Sequence, residues 1–178
     1  METIPNHVRN ILTFKNFHTG EKDFIVERLT SWREDLGDRI LDFDKIIPEP
    51  QKKEDCPEDC LVNKDSHISE DKDRPWFDWY AWHNKYWGTK WDAYDGGTWI
   101  HPEEVECYFN TAWSAPYPIY EQLAKLYPNF EWEVRYADES ITENSGVIRH
   151  YKGTDTIYEE PVDHEKIYNE VWGYDEED

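Results

Sequence analysis

The apolar positions fall into short runs separated by turn residues. Between His7 and Phe14, the apolar Val8, Ile11, Leu12 and Phe14 alternate loosely with polar residues, which predicts a first strand. Thr19 ahead of Glu21, Lys22 and Asp23 resembles a helix start, and Phe24, Ile25, Leu29 and Trp32 follow near helical spacing until Gly37. Ile40, Leu41, Phe43, Ile46 and Ile47 predict a second strand stopped by Pro48 and Pro50. Pro75 suits the first turn of an aromatic-rich helix across 75–92, with Gly88 at its end and Asp95-Gly96-Gly97 as a turn. Val105, Cys107 and Phe109 alternate with Glu104, Glu106, Tyr108 and Asn110, a strand that extends to Trp113. A helix from Ile119 to Tyr127 lies between prolines, and Phe130, Trp132, Val134 and Tyr136 mark the cleanest strand of the chain. Further strands are predicted at 146–151 and 156–160, and a terminal helix at 164–172.

Strand, helix, strand, and later strand, helix, strand, is the order of a split β-α-β unit. The expected fold class is α+β: a ferredoxin-like antiparallel sheet with helices mainly on one face. One domain spans 1–178. Residues 49–74, rich in Lys, Asp, Glu and Ser, form a charged insertion or mobile loop, and 174–178 an acidic tail.

Composition narrows the function. The 178 residues carry 40 acidic and 19 basic side chains, a formal charge of -21, which argues against a membrane-surface protein and against a generally basic nucleic-acid grip. No apolar run approaches the ~20 residues of a bilayer crossing, and the first ten residues have no signal-peptide layout. The reading is a soluble, cytoplasmic protein. Aromatics make up 16% of the chain, so it has rings enough to build a core despite its charge. Three cysteines cannot all pair with one another, which suits a reducing compartment.

Five stretches then resemble one family in order: Pro5-Asn6-His7-Val8 with Asn10-Ile11-Leu12; 43–50, FDKIIPEP; 87–94, WGTKWDAY; 109–116, FNTAWSAP, with Pro118-Ile119; and Tyr136-Ala137-Asp138-Glu139. They resemble the YubB ferredoxin-like family, Api-like proteins carried by phages and plasmids, over about 5–153, leaving the charged insertion and the part after Thr154 outside. The resemblance implies a ferredoxin-like sheet and a mobile-element origin. It supplies no reaction and no catalytic residue.

Two junctions are candidate binding sites. Trp87, Lys90, Trp91 and Asp92 gather charge among large rings, either as a platform for a base or a peptide or as core filling with polar caps. Asn110, Trp113 and Ser114 sit where a strand meets a proline-bounded helix, where side chains are exposed for binding or Ser114 caps a turn. Cys56, Cys60 and His67 make an incomplete zinc set, and His7, His83, His101 and His150 lack paired-carboxylate or His-x-x-His spacing. No catalytic residue, metal or cofactor is assigned.

The remaining candidate is the acidic excess. Glu54, Asp55, Glu58, Asp59, Glu70 and Asp71 form an acidic partner surface that can imitate phosphates, or they simply keep the chain soluble. The expected function is an acidic interaction protein that inhibits a host nucleic-acid-processing defence system, with a partner bearing a basic cleft, such as a Cas nuclease or its guide RNA complex. The alternatives are a ribonuclease-like enzyme and a nucleotide-binding sponge with an aromatic pocket.

Overall fold

In the computed structural model, which describes residues 4–66 and 71–173, the alternation near the start becomes β1, His7–Lys15. Val8, Asn10, Leu12 and Phe14 are buried, while His7, Arg9, Ile11, Thr13 and Lys15 turn to the other, more open face. After β1 come α1, Glu21–Leu29, and a hairpin of β2, Thr30–Arg33, and β3, Asp38–Leu41. The chain continues through α2, Trp79–Tyr86; β4, Tyr94–Ile100; β5, Val105–Ala112; α3, Tyr117–Leu126; β6, Glu131–Asp138; β7, Ser145–His150; β8, Tyr158–Glu160; and α4, His164–Trp172.

Six strands form one antiparallel sheet in the order β4-β5-β1-β6-β7-β8. The first strand of the chain is central: Val8 pairs with Thr111 of β5 and with Asp138 of β6. Taking β1, β4, β5 and β6 as the four core strands, α1 lies on the connection from β1 to β4 and α3 on the one from β5 to β6. That is the split β-α-β order expected of a ferredoxin-like α+β fold.

The main core lies on one face of the sheet, where Val8, Leu12, Phe14, Phe109, Trp132 and Val134 meet Ile25 and Leu29 of α1 and Ile119 and Leu123 of α3. Among its polar groups Asn10 is fully matched, while the buried Trp132 indole N–H has no hydrogen-bond partner among the described residues. Asn10 donates to the Val8 carbonyl and to Thr111 Oγ1, at 3.0 Å each, and accepts from the Tyr120 hydroxyl at 2.8 Å. On the opposite face, α4 packs Ile167 and Val171 on Ala137 and Val147, and the Trp172 indole donates to the Asp138 carbonyl at 2.9 Å. Asp163 caps its first turn and Gly173, in the left-handed region, ends it.

Four expected elements take another form. The first helix stops at Leu29, and Trp32 stands in β2 with its ring largely exposed. The strand expected at 40–47 is only the end of β3; a 3-10 turn at Phe43–Lys45 follows, with Asp42 accepting from the Asp44 N–H. The aromatic helix begins four residues after Pro75, at Trp79, because Asp78 caps it through the Ala81 N–H at 3.0 Å. The Asp95-Gly96-Gly97 turn is instead part of β4, with a bulge between Tyr94 and Gly97. A Cβ on Gly96 would lie 2.0 Å from the Tyr108 carbonyl oxygen, and one on Gly97 would lie 2.6 Å from the Tyr108 hydroxyl. These glycines serve close approach rather than chain reversal.

Residues 49–66 and 71–74 of the charged insertion are tied to the body. Cys56 and Cys60 are buried, Asp78 N–H donates to the Cys60 carbonyl at 3.0 Å, and Val62 N–H donates to the Trp76 carbonyl at 2.9 Å. At the base, Arg74 contacts Glu49 at 2.7 Å and Asp71 at 2.8 Å. His67, Glu70 and the tail at 174–178 lie outside the described residues.

Candidate functional site

Two of the sequence stretches form one clasp at an end of the sheet. Gly88, with φ 75°, closes α2, and a Cβ there would come within 2.6 Å of Pro118 Cδ. Thr89 then exchanges two hydrogen bonds with Ala112: its hydroxyl donates to the carbonyl at 2.9 Å and accepts from the N–H at 3.0 Å. Ser114 Oγ donates to the Gly88 carbonyl at 2.6 Å. Ser114 therefore joins the two stretches rather than offering a free hydroxyl.

The residues predicted as a platform separate into different roles. Trp87 is buried, stacked on His83 with ring centroids 4.0 Å apart, and donates its indole N–H to the Ile47 carbonyl at 2.9 Å. Asp92 accepts from the backbone N–H groups of Phe43 at 3.0 Å and Ala93 at 2.7 Å. Burial, with Asp42 and Asp44 nearby, pushes its carboxyl up to about 7 against those two bonds. Asn110 is buried rather than exposed for binding, on the α4 side of the sheet, and accepts from Arg9 Nε at 3.1 Å.

Lys90, Trp91 and Trp113 do converge. The Lys90 ammonium lies 4.7 Å from the Trp91 ring centre and 5.5 Å from that of Trp113. Trp113 holds φ 68°, a costly conformation for a bulky residue, because its N–H donates to the Asn6 carbonyl and its own carbonyl accepts from Asn144, each at 2.9 Å. One face of each ring is turned to the chain's own cation, and Trp91 remains partly exposed. Beside them, the Tyr94 hydroxyl is 2.7 Å from His7 Nδ1, and burial, then Asp95 and Glu139, push the phenol up to about 12.

His83 joins the clasp to the insertion. Its Nδ1 is 2.8 Å from the Lys90 carbonyl, which can only accept, and its Nε2 is 2.5 Å from Glu49. Burial would raise the Glu49 carboxyl, but hydrogen bonds from His83 and Arg74 override it and hold the group below its usual range.

The acidic partner surface divides in the same way. Asp59 pairs with Lys85 and Asp71 with Arg74, whereas Glu54, Asp55 and Glu58 are exposed on two successive 3-10 turns without an ion pair among the described residues. All three cysteines are free and buried, and burial first, then Asp59, pushes the Cys60 thiol up to about 12. Among the described residues, no group of His, Cys, Asp and Glu is placed to hold a metal ion. None of the described helices is long and apolar enough to cross a membrane.

A concavity lies elsewhere, on the open face of the sheet. This groove of about 610 Å³ is floored by Arg9, Ile11, Thr13 and Lys15 of β1 and walled by Trp99, Glu104, Glu106 and Tyr108 on one side and by Glu170 and Trp172 of α4 on the other. The sequence signal for its floor was the polar half of the alternation in β1 and β5. Its wall at Trp99 was hidden because Gly96-Gly97 read as a turn.

An antiparallel split β-α-β sheet with one helix-covered face and one partly open face defines a ferredoxin-like α+β protein. The chain belongs to the family described as the ferredoxin-like domain in Api92-like protein, which matches residues 83–176. The match takes in the stretches at 87–94, 109–119 and 136–139. It runs on past Thr154, beyond the span of the sequence resemblance, and does not include those at 5–12 and 43–50. No curated protein and no solved structure matches the chain.

Proposed function

We propose that this chain is a non-enzymatic interaction protein, encoded by a phage or plasmid and acting in the host cytoplasm. It inhibits a nucleic-acid-processing defence machine, such as a CRISPR–Cas effector, by setting carboxylates into a basic cleft that otherwise holds nucleic acid. The observation that carries this reading is the acidic turn of the insertion. Glu54, Asp55 and Glu58 project from short turns whose backbone is fixed by buried Cys56 and Cys60, so their charges are presented at set spacings. A formal charge of -21 adds long-range attraction toward a basic surface.

The test is a titration of the protein against a Cas nuclease–guide complex across a salt series. Binding is expected to weaken steeply with salt, and the triple variant E54Q/D55N/E58Q to lose about tenfold or more in affinity. Absence of a complex at low salt, or an affinity indifferent to both salt and the variant, would overturn the proposal.

A further inference from the structure

We propose that the corner of the sheet-face groove made by Trp99, Glu104, Glu106 and Tyr108 receives an arginine side chain from a basic segment of a protein partner. The opposite side of the groove shows the same chemistry with a resident cation. There the Arg9 guanidinium lies 4.5 Å from the Trp172 ring centre while its Nε donates to Asn110. The corner repeats those ingredients, a ring and oxygen acceptors, and among the described residues no cation forms an ion pair with its carboxylates.

The groove's other cations are committed. Lys15 contacts Glu133 at 3.8 Å, and Arg135 spans Glu133 at 2.9 Å and Glu170 at 3.2 Å. Glu104 and Glu106 have no ion pair among the described residues. Glu106 pairs in register with Thr13 on β1 and Trp99 on β4. Half-burial first, then Glu104, raises its carboxyl above the usual range, while the nearby His101, the Thr13 hydroxyl and, more weakly, Arg135 lower it. A carboxylate that is partly desolvated beside another gains from an incoming cation more than a fully hydrated one does.

The rings select the cation. Trp99 is 52% exposed, and its ring centre is 4.7 Å from that of Tyr108. A guanidinium is planar, weakly hydrated and able to stack while its fork reaches two carboxylates, whereas an ammonium is a strongly hydrated point charge. The site uses none of the carboxylates of the insertion, so it and the acidic-turn reading can fail separately.

The test uses the whole chain with ¹⁵N-labelled tryptophan indoles, the Trp99 signal being identified by its loss in W99F. Tetra-arginine and tetra-lysine peptides are titrated at about 0.15 M salt. Tetra-arginine is expected to move the Trp99 indole signal and to bind at least about fivefold tighter than tetra-lysine. The double variant E104Q/E106Q should weaken it about tenfold, and E54Q/E58Q, which removes the same charge, less than about twofold. W99A should abolish the preference for arginine, a readout independent of the carboxylate variants. Equal losses in the two double variants would reveal diffuse attraction and overturn the site, as would a Trp99 signal that stays still while other indoles shift.

Discussion

Asp92 is a carboxylate held where its neutral form is favoured. Its folded pKa, about 7, lies above the ordinary 3.8, so the stability it contributes is fully present below pH ~4 and is lost as pH rises through 7. Asparagine keeps an oxygen to accept from Phe43 and Ala93 and cannot ionise. Asp92→Asn should therefore match the parent near pH 4 and exceed it by up to roughly 4 kcal/mol at pH 8, since each pKa unit between 3.8 and about 7 is worth about 1.4 kcal/mol. Urea unfolding at the two pH values measures this; a variant less stable at pH 8 would show that the charge itself is used. The sequence named Asp92, Lys90, Trp91 and Trp113 as noteworthy, but spacing along a chain carries no direction for a side chain. That Trp87 turns inward, and that Lys90 lies over the two rings, depends on the left-handed turn at Trp113 and the Thr89–Ala112 exchange, both set by contacts far apart in sequence.

Among elements, the insertion is closed at its base by one guanidinium. Arg74 bridges Glu49 and Asp71 and donates to the Pro50 carbonyl at 3.2 Å. Replacing it with methionine leaves half-buried Glu49 with His83 alone, a loss of about 1–3 kcal/mol for a partly buried pair. The expected outcome is at least about tenfold faster tryptic cleavage at Lys52, Lys53 and Lys64, with global stability lowered by no more than that same amount, since local opening governs such cuts. Cleavage unaffected by Arg74→Met would mean that the buried thiols fix the segment without the ion pair. The depressed Glu49 carboxyl gives the pH sign: its stabilisation is present above its ordinary value near 4.5 and is lost as pH falls through the lower folded value. Elements with strong periodicity were legible: α4 occupies the expected residues, and β5, β6 and α3 differ only at their ends. β2 and β4 were not. Trp32 fits a helical stripe but stands largely exposed on a hairpin, and the two glycines of β4 are explained by Tyr108 and the Asp38 carboxylate beside them, contacts remote in sequence.

For the whole molecule, the ferredoxin-like order was legible because the strand-helix-strand rhythm survives local misreadings. The open groove was not, because it is bounded by α4, which reaches the far face of the sheet only through pairing that no local pattern encodes. The family match at 83–176 contains β4 to β8 but leaves out β1, which joins β5 to β6. A fragment limited to those residues would expose two strand edges and an uncovered core, and it should show no cooperative urea transition while the whole chain does. A sharp two-state transition in that fragment would contradict the central place of β1. The same placement bears on synthesis. Once made, β1 must wait for partners about a hundred residues downstream, on the order of 5–20 s at ordinary translation rates. During that delay Val8, Leu12 and Phe14 are exposed without neighbours, which makes the nascent chain a client for holding chaperones until β5 and β6 emerge.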